Sequence, residues 1–386
     1  MKIAILHEML VKLWGAEKVV EKILSIFPDA DLYTLIYDEK KVWDVFPRNY
    51  GKWKIIQSAG MPQFIYDLTG KQRLCLPFMA KAVESLDFSK YDVVIISSSG
   101  FAHGAITKPE TKTIVYYHSP SRYLWDWTNE YKRDIGWSKW IKWRILWNLF
   151  LRLREWDFLA SQRNDILLAN SKNVATRVQK YYKKTAAVLY PPVEVSRFSA
   201  QIPEETFSFL EKTYKIRSKE YYIVLGALTE FKKVEIAIEA FQKMPEKQLV
   251  IIGEWPLKAK LQKMCQTSNN IHIIGAQYGA NLVALVQNAL WLVFPGEEDF
   301  WIVPIEAMWA GIPVFAYKAW GLLESVIEGK TGAFFEHPEG KDFVRLFETF
   351  DTQAKNGYFS KDTLISQAQK FSEEVFEEGL QKICEA

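Results

Sequence analysis

The chain has 386 residues, more than one ordinary core accommodates, so two domains are expected. Apolar residues make up 49% and charged residues 25%, a globular rather than a disordered composition. The net charge of +3 offers no global field for nucleic acid, and the three scattered cysteines, Cys75, Cys265 and Cys384, fit a reducing compartment and speak against a disulfide framework or a zinc site.

The opening stretch MKIAILHEMLVK has a short apolar run broken by His7 and Glu8, which argues against a signal peptide. KIAIL reads as a buried strand, and AEKVVEKILSIF as a helix with apolar positions 19, 20, 23, 24 and 27. YDVVIISSS (91–99) and KTIVYYHS (112–119) are β-branched runs ending in small polar residues. From Lys132 to Arg154 there are seven basic residues and one acidic residue, Asp134, among several tryptophans. That stretch suits either peripheral contact with a membrane face or a packed helix with snorkelling cations. RNDILLANSKNVATRVQKYY then gives a strand, Ser171 as N-cap, and a helix. No apolar run reaches the length of a membrane span.

YPPVEVSRF (190–198) breaks the pattern with two prolines and reads as a linker. Beyond it the alternation restarts. Strands are expected at 221–228, 248–254, 271–275, 290–295 and 312–317, with a helix at 234–244 among those that fill the gaps. Short apolar strands alternating with helices imply parallel sheets covered on both faces. The chain therefore reads as an α/β protein of two Rossmann-like domains, 1–190 and 191–365, with a C-terminal helix from about 366 to 386 that packs back on the first. Ligands of such sheets sit outside the carboxyl ends of the strands, and between two such domains the natural place is the cleft they share.

GEEDFWIVPIEAMWAG (296–311) is the stretch richest in chemistry. A strand runs into a loop, Pro304 suits the first helical position, Gly311 suits the helix end, and Glu306 falls near the third helical residue. Glu306 there either serves the helix dipole or, with Glu298, brackets free backbone N–H groups that would hold a polyol or an anion. His118 is either a satisfied strand-end histidine or a site residue, and Lys232 either a solvated lysine or an anion contact. Arg122, in SPSRY, either pairs with a core carboxylate or meets an acceptor phosphate.

EDFWIVPIE matches the E-x7-E signature of retaining GT-B glycosyltransferases of family 4. Further blocks resemble the bacterial mannosyltransferase-like branch that builds O-antigen, capsule or exopolysaccharide. They are ILHEMLVKLWGAEKVVE, FPDADLYTLIYD, YHSPSRYLWD, ANSKNVATRVQKYY, YPPVEVSRF, IEAM and GKTGAFF. The resemblance implies the GT-B fold, two Rossmann-like domains facing across a cleft. It implies a nucleotide-sugar donor, GDP-mannose, held mostly by the second domain without a metal or other cofactor. The acceptor would be a glycan or a lipid-linked glycan, and the protein would be cytoplasmic. Carried over by position, Glu306 would hold the donor ribose, Glu298 the sugar hydroxyls, and Lys232 the diphosphate. His118 would face the donor sugar, Gly15 would belong to the donor loop, and the backbone of Phe300, Trp301, Ile302 and Val303 would line the sugar and phosphate pocket.

Two departures stand out. Ala227 occupies a position where the family carries an arginine. Trp14, Trp255, Trp301 and Trp320 occupy usual glycines, in a chain with 15 Trp and only 19 Gly where about 27 are usual for this length. A gene whose UGA codons encode glycine, translated by a code that reads UGA as tryptophan, would produce this exchange; UGG at these four positions would exclude it. With these departures as written, a scaffold that binds without catalysis is the rival reading, and a nucleotide-sugar epimerase a third.

Overall fold

The computed structural model describes residues 1–13, 15–47, 54–57, 60–126, 128, 140–254, 256–296, 302–319, 321–337 and 339–385, with side chains omitted for 140–146 and 231. The chain forms two compact units, Met1–Pro192 with Phe376–Ala386, and Val193–Val375. The first has a seven-stranded sheet and the second a six-stranded sheet, and the ladders of both are parallel. These are two doubly wound Rossmann-like units, as the alternation of strands and helices predicts.

In the first unit the order is β3-β2-β1-β4-β5-β6-β7. The strands are β1 (Ile3–Leu10), β2 (Asp31–Tyr37), β3 (Ile55–Gln57), β4 (Val93–Ser98), β5 (Lys112–Tyr117), β6 (Ile166–Ala169) and β7 (Ala187–Val188). β4 is buried along its whole length, as expected of a strand covered on both faces. Helix Gly15–Ile26 turns Val19, Val20, Ile23 and Leu24 inward against Ile5, Ile95 and Tyr116. Phe376, Leu380 and Cys384, spaced four apart on helix Glu373–Glu385, enter the same core. The part of the expected 366–386 helix that joins the first unit is thus its last segment, while helix Lys361–Gln369 lies in the second unit.

Ser171 caps helix Lys172–Tyr182, its Oγ accepting the Val174 N–H at 3.2 Å. The basic, tryptophan-rich stretch forms part of helix Trp140–Gln162. There Phe150 and Leu153 are buried, and Arg154 Nε donates to the Leu124 carbonyl at 2.7 Å with its guanidinium over the Trp125 ring. Leu151 and Leu159 are exposed on the same helix. Among the described residues no helix is long and apolar enough to cross a membrane.

In the second unit the order is β10-β9-β8-β11-β12-β13. The strands are β8 (Tyr221–Leu225), β9 (Gln248–Ile252), β10 (Ile271–Gly275), β11 (Leu292–Phe294), β12 (Val314–Tyr317) and β13 (Gly332–Phe335). Its core centres on Trp291, fully buried and stacked on Phe347 with ring centroids 4.3 Å apart. The order reverses between β1 and β4 in the first sheet and between β8 and β11 in the second. Those two switch points are where open α/β sheets bind ligands.

Candidate functional site

At the switch point of the second sheet, β8 ends because Gly226 takes φ +137°, a backbone conformation side chains rarely adopt. Gly253, just beyond β9, must also be glycine, since a Cβ there would sit 1.9 Å from the Gly226 carbonyl oxygen. The loop then tightens through the 3-10 turn Glu230–Lys232, which carries Lys232 back over the strand ends. Its ammonium lies 5.3 Å from the centre of the Phe294 ring, at the end of β11. A Cβ on Gly226 would lie 3.5 Å from that nitrogen, so the cation rests against bare backbone. Gly226, Ala227, Lys232, Phe294 and Gly296 line one small hollow, in which backbone and a cation lie side by side. Ala227 contributes only a methyl group to it. Lys233, with φ +47°, has its ammonium 5.2 Å from the centre of the Tyr317 ring, one strand further on.

Glu306 lies on helix Ile302–Trp309, which includes the candidates Ile302 and Val303. That helix begins two residues before the expected start, so Pro304 is its third residue and Glu306 its fifth. Proline is tolerated there because first-turn N–H groups have no intrahelical acceptor. The chain leaves the helix through Gly311 at φ +80°, with the Ile312 N–H returning to the Ala307 carbonyl at 3.0 Å. Glu306 is 5% exposed and forms an ion pair with Arg197, from the 3-10 turn Ser196–Ser199. Burial pushes its carboxyl up, and the Arg197 guanidinium works against that shift. Arg197, like Gly226, was invisible as a site residue in the sequence; it stood within a stretch read as linker.

In the first unit, His118 follows β5 directly. Its N–H donates to the Ser98 carbonyl at 2.9 Å, and Asn170 Nδ2 donates to its carbonyl at 3.0 Å. Burial, and then the neighbouring His7, hold its pKa down to about 3, while Glu17 acts in the opposite sense. That shift favours the neutral imidazole. Gly15 is the first residue of helix Gly15–Ile26, and Arg122 is half-buried in the turn after β5. Glu298, Phe300 and Trp301 lie outside the described residues, as do Trp14, Trp255 and Trp320. The structure thus brings Lys232, Gly226 and Gly296 together, and sets Glu306 in the same unit on a separate element. His118, Gly15 and Arg122 belong to the other unit.

Among the described residues, no three His, Cys, Asp or Glu side chains are grouped to hold a metal ion. One loop that could cradle an anion is already filled. Glu8 Oε1 accepts the backbone N–H groups of Ser99, Gly100 and Ala102 at 3.2, 2.6 and 2.9 Å, and that of Phe101 as well. This nest of donors in the first unit is satisfied by the protein's own carboxylate.

Residues 207–357 match the family model described as glycosyl transferases group 1. The alpha-1,3/1,6-mannosyltransferase ALG2 of Dictyostelium discoideum is 25% identical over 295 residues, which cover 67% of this chain and 66% of that protein. ALG2 of Homo sapiens is 24% identical over 335 residues, 78% of this chain and 75% of that protein. Among solved structures, Anabaena Alr3699/HepE in complex with UDP aligns over the whole of both chains, with a TM-score of 0.73 and 15% identity. WaaG, a glycosyltransferase involved in lipopolysaccharide biosynthesis, aligns over 99% of both chains with a TM-score of 0.65 and 16% identity. The chain therefore carries a glycosyl transferases group 1 domain at residues 207–357 and, over its length, the two-unit fold of the GT-B glycosyltransferases.

Proposed function

We propose that the protein is a retaining glycosyltransferase that moves a hexose, mannose from GDP-mannose, onto a glycan or lipid-linked acceptor in surface polysaccharide synthesis. The observation that carries this reading is the hollow at the β8/β11 switch point, where Lys232 faces bare glycine backbone inside the segment that matches the group 1 model. The similarity to the ALG2 mannosyltransferases supports mannose as the sugar. The bond between the sugar's anomeric carbon and the diphosphate breaks, and a bond to the acceptor oxygen forms on the same face. The acceptor's proton passes to the departing phosphate oxygen. Lys232 stabilises the charge that develops on the diphosphate. Glu306 takes the ribose hydroxyls, Glu298 the sugar hydroxyls, and neutral His118 accepts or donates a hydrogen bond at the sugar. A lipid-linked acceptor would bring the protein to the face of a membrane.

The test is a donor screen. The protein is incubated with GDP-mannose, UDP-glucose and related nucleotide sugars, with and without a glycan acceptor, and the released nucleoside diphosphate is measured. Acceptor-dependent release from a hexose donor supports the reading, whereas turnover left intact in Glu298→Ala would remove the role given to that residue. A second reading rests on Ala227, whose methyl group stands in the hollow where the family carries a guanidinium. Nucleotide bound tightly without transfer would favour a scaffold that holds the donor and does not react.

A further inference from the structure

His7, Ser97 and His118 fall in a row across three neighbouring strands. His7 pairs in register with Ser97 across β1 and β4, and Ser97 pairs with Tyr116 across β4 and β5. His118, two residues beyond Tyr116, returns to the same face. Helix Gly15–Ile26 covers that face and brings Glu17 in its first turn. The atoms meet end to end. Glu17 Oε1 lies 3.8 Å from His7 Nε2, His7 Nδ1 lies 3.0 Å from Ser97 Oγ, and Ser97 Oγ lies 2.8 Å from His118 Nε2. Glu17, His7 and Ser97 are 3%, 4% and 0% exposed, so water cannot substitute for any link. His118 alone is partly open, and among the described residues nothing bonds to its Nδ1.

The direction of this chain follows from what each group can donate. A carboxylate only accepts, so Glu17 favours the proton of His7 on Nε2. With that proton on Nε2, the His7 Nδ1 carries a lone pair and takes the Ser97 hydroxyl proton. The Ser97 oxygen, having donated, accepts from His118 Nε2–H. That leaves the lone pair of His118 on the open nitrogen, Nδ1. A neutral histidine has two tautomers of similar energy, and a buried partner of the second nitrogen is what selects one. We propose that Glu17, His7 and Ser97 are positioning residues that hold His118 as its Nε2–H tautomer, so that Nδ1 acts as the acceptor for a hydroxyl of the bound sugar. The tautomer rests on these contacts with a single proton on the His7 ring; its use on a sugar hydroxyl rests on the role given to His118 above.

The experiment is long-range proton–nitrogen NMR of the ligand-free protein labelled with nitrogen-15 histidine, with the five histidines assigned by single substitutions. His118 should show a protonated Nε2 and an unprotonated Nδ1. In Ser97→Ala its two nitrogens should move toward the averaged shifts of a mixed population, and kcat should fall by about tenfold while GDP and UDP affinity stays unchanged. Ser97→Thr, which keeps the hydroxyl, should restore both. An Nδ1–H tautomer in the wild type, or a tautomer unaltered in Ser97→Ala, overturns the proposal, and the wild-type spectrum decides alone if Ser97→Ala does not fold. If the spectra come out as expected but His118→Ala turns over normally, the relay stands and the role of His118 on the sugar falls.

Discussion

Lys232 illustrates how a single side chain acquires a function from its backbone surroundings. Its ammonium lies beside Gly226 and over Phe294, at the hollow where the ends of β8 and β11 meet. A charged hydrogen bond from it to a diphosphate is worth roughly 1.5–3 kcal/mol, so Lys232→Met should weaken GDP or UDP binding by about tenfold to a hundredfold, as measured by calorimetry. Asp157 shows the opposite case, a buried group with a structural role. It is fully buried, and burial pushes its carboxyl up to about 7, against hydrogen bonds from Trp125 and Ser121. Between about pH 4 and 7 the native state then keeps a proton that the unfolded chain releases, so this group lowers stability as pH rises through that window. Asp157→Asn removes the effect, and its stability relative to wild type in urea titrations should improve from about pH 5 to pH 7.5. His118, Lys232 and Glu306 could be singled out in the sequence because whole motif blocks flank them. His7 was visible only as an interruption of an apolar run, and Ser97 only as a small polar residue at a strand end. What joins them to His118 is strand register, which local sequence does not encode.

At the scale of elements, the ends of β8 and β9 are set by two glycines. Runs expected to strand status through 228 and 254 stop at Leu225 and Ile252, because Gly226 and Gly253 pass too close for pleated pairing to continue. Gly253→Ala would drive a methyl into the Gly226 carbonyl and should destabilise the second unit by about 2 kcal/mol or more, read as a lowered urea midpoint, with weaker nucleotide binding alongside. Ser171→Ala should cost about 1 kcal/mol through loss of the cap on helix Lys172–Tyr182. β3 and β7, with three and two residues, are too short for a periodic signal, and both are held by pairing to a longer neighbour. β2 and β13 lie in stretches whose motif character was plain but whose strand character was not. In β2, Thr34 is fully buried in the middle of an otherwise apolar run and hydrogen-bonds the Ile36 carbonyl.

At the scale of the molecule, two switch points carry different chemistry. In the first unit the loop after β4 wraps Glu8, so its backbone donors are spent on the protein's own carboxylate. In the second, the loop after β8 places glycine backbone and a lysine at one small hollow. The doubly wound alternation made both units legible from apolar periodicity, while the difference between the two loops depends on side chains that reach them from elsewhere in the chain. It follows that a nucleoside diphosphate should bind through the second unit. Calorimetric titration of GDP and UDP into the wild type and Lys232→Met tests this most directly. Binding to the wild type that weakens at least about tenfold in the variant is the predicted result, and equal affinity in the two, or no binding by the wild type, would contradict it.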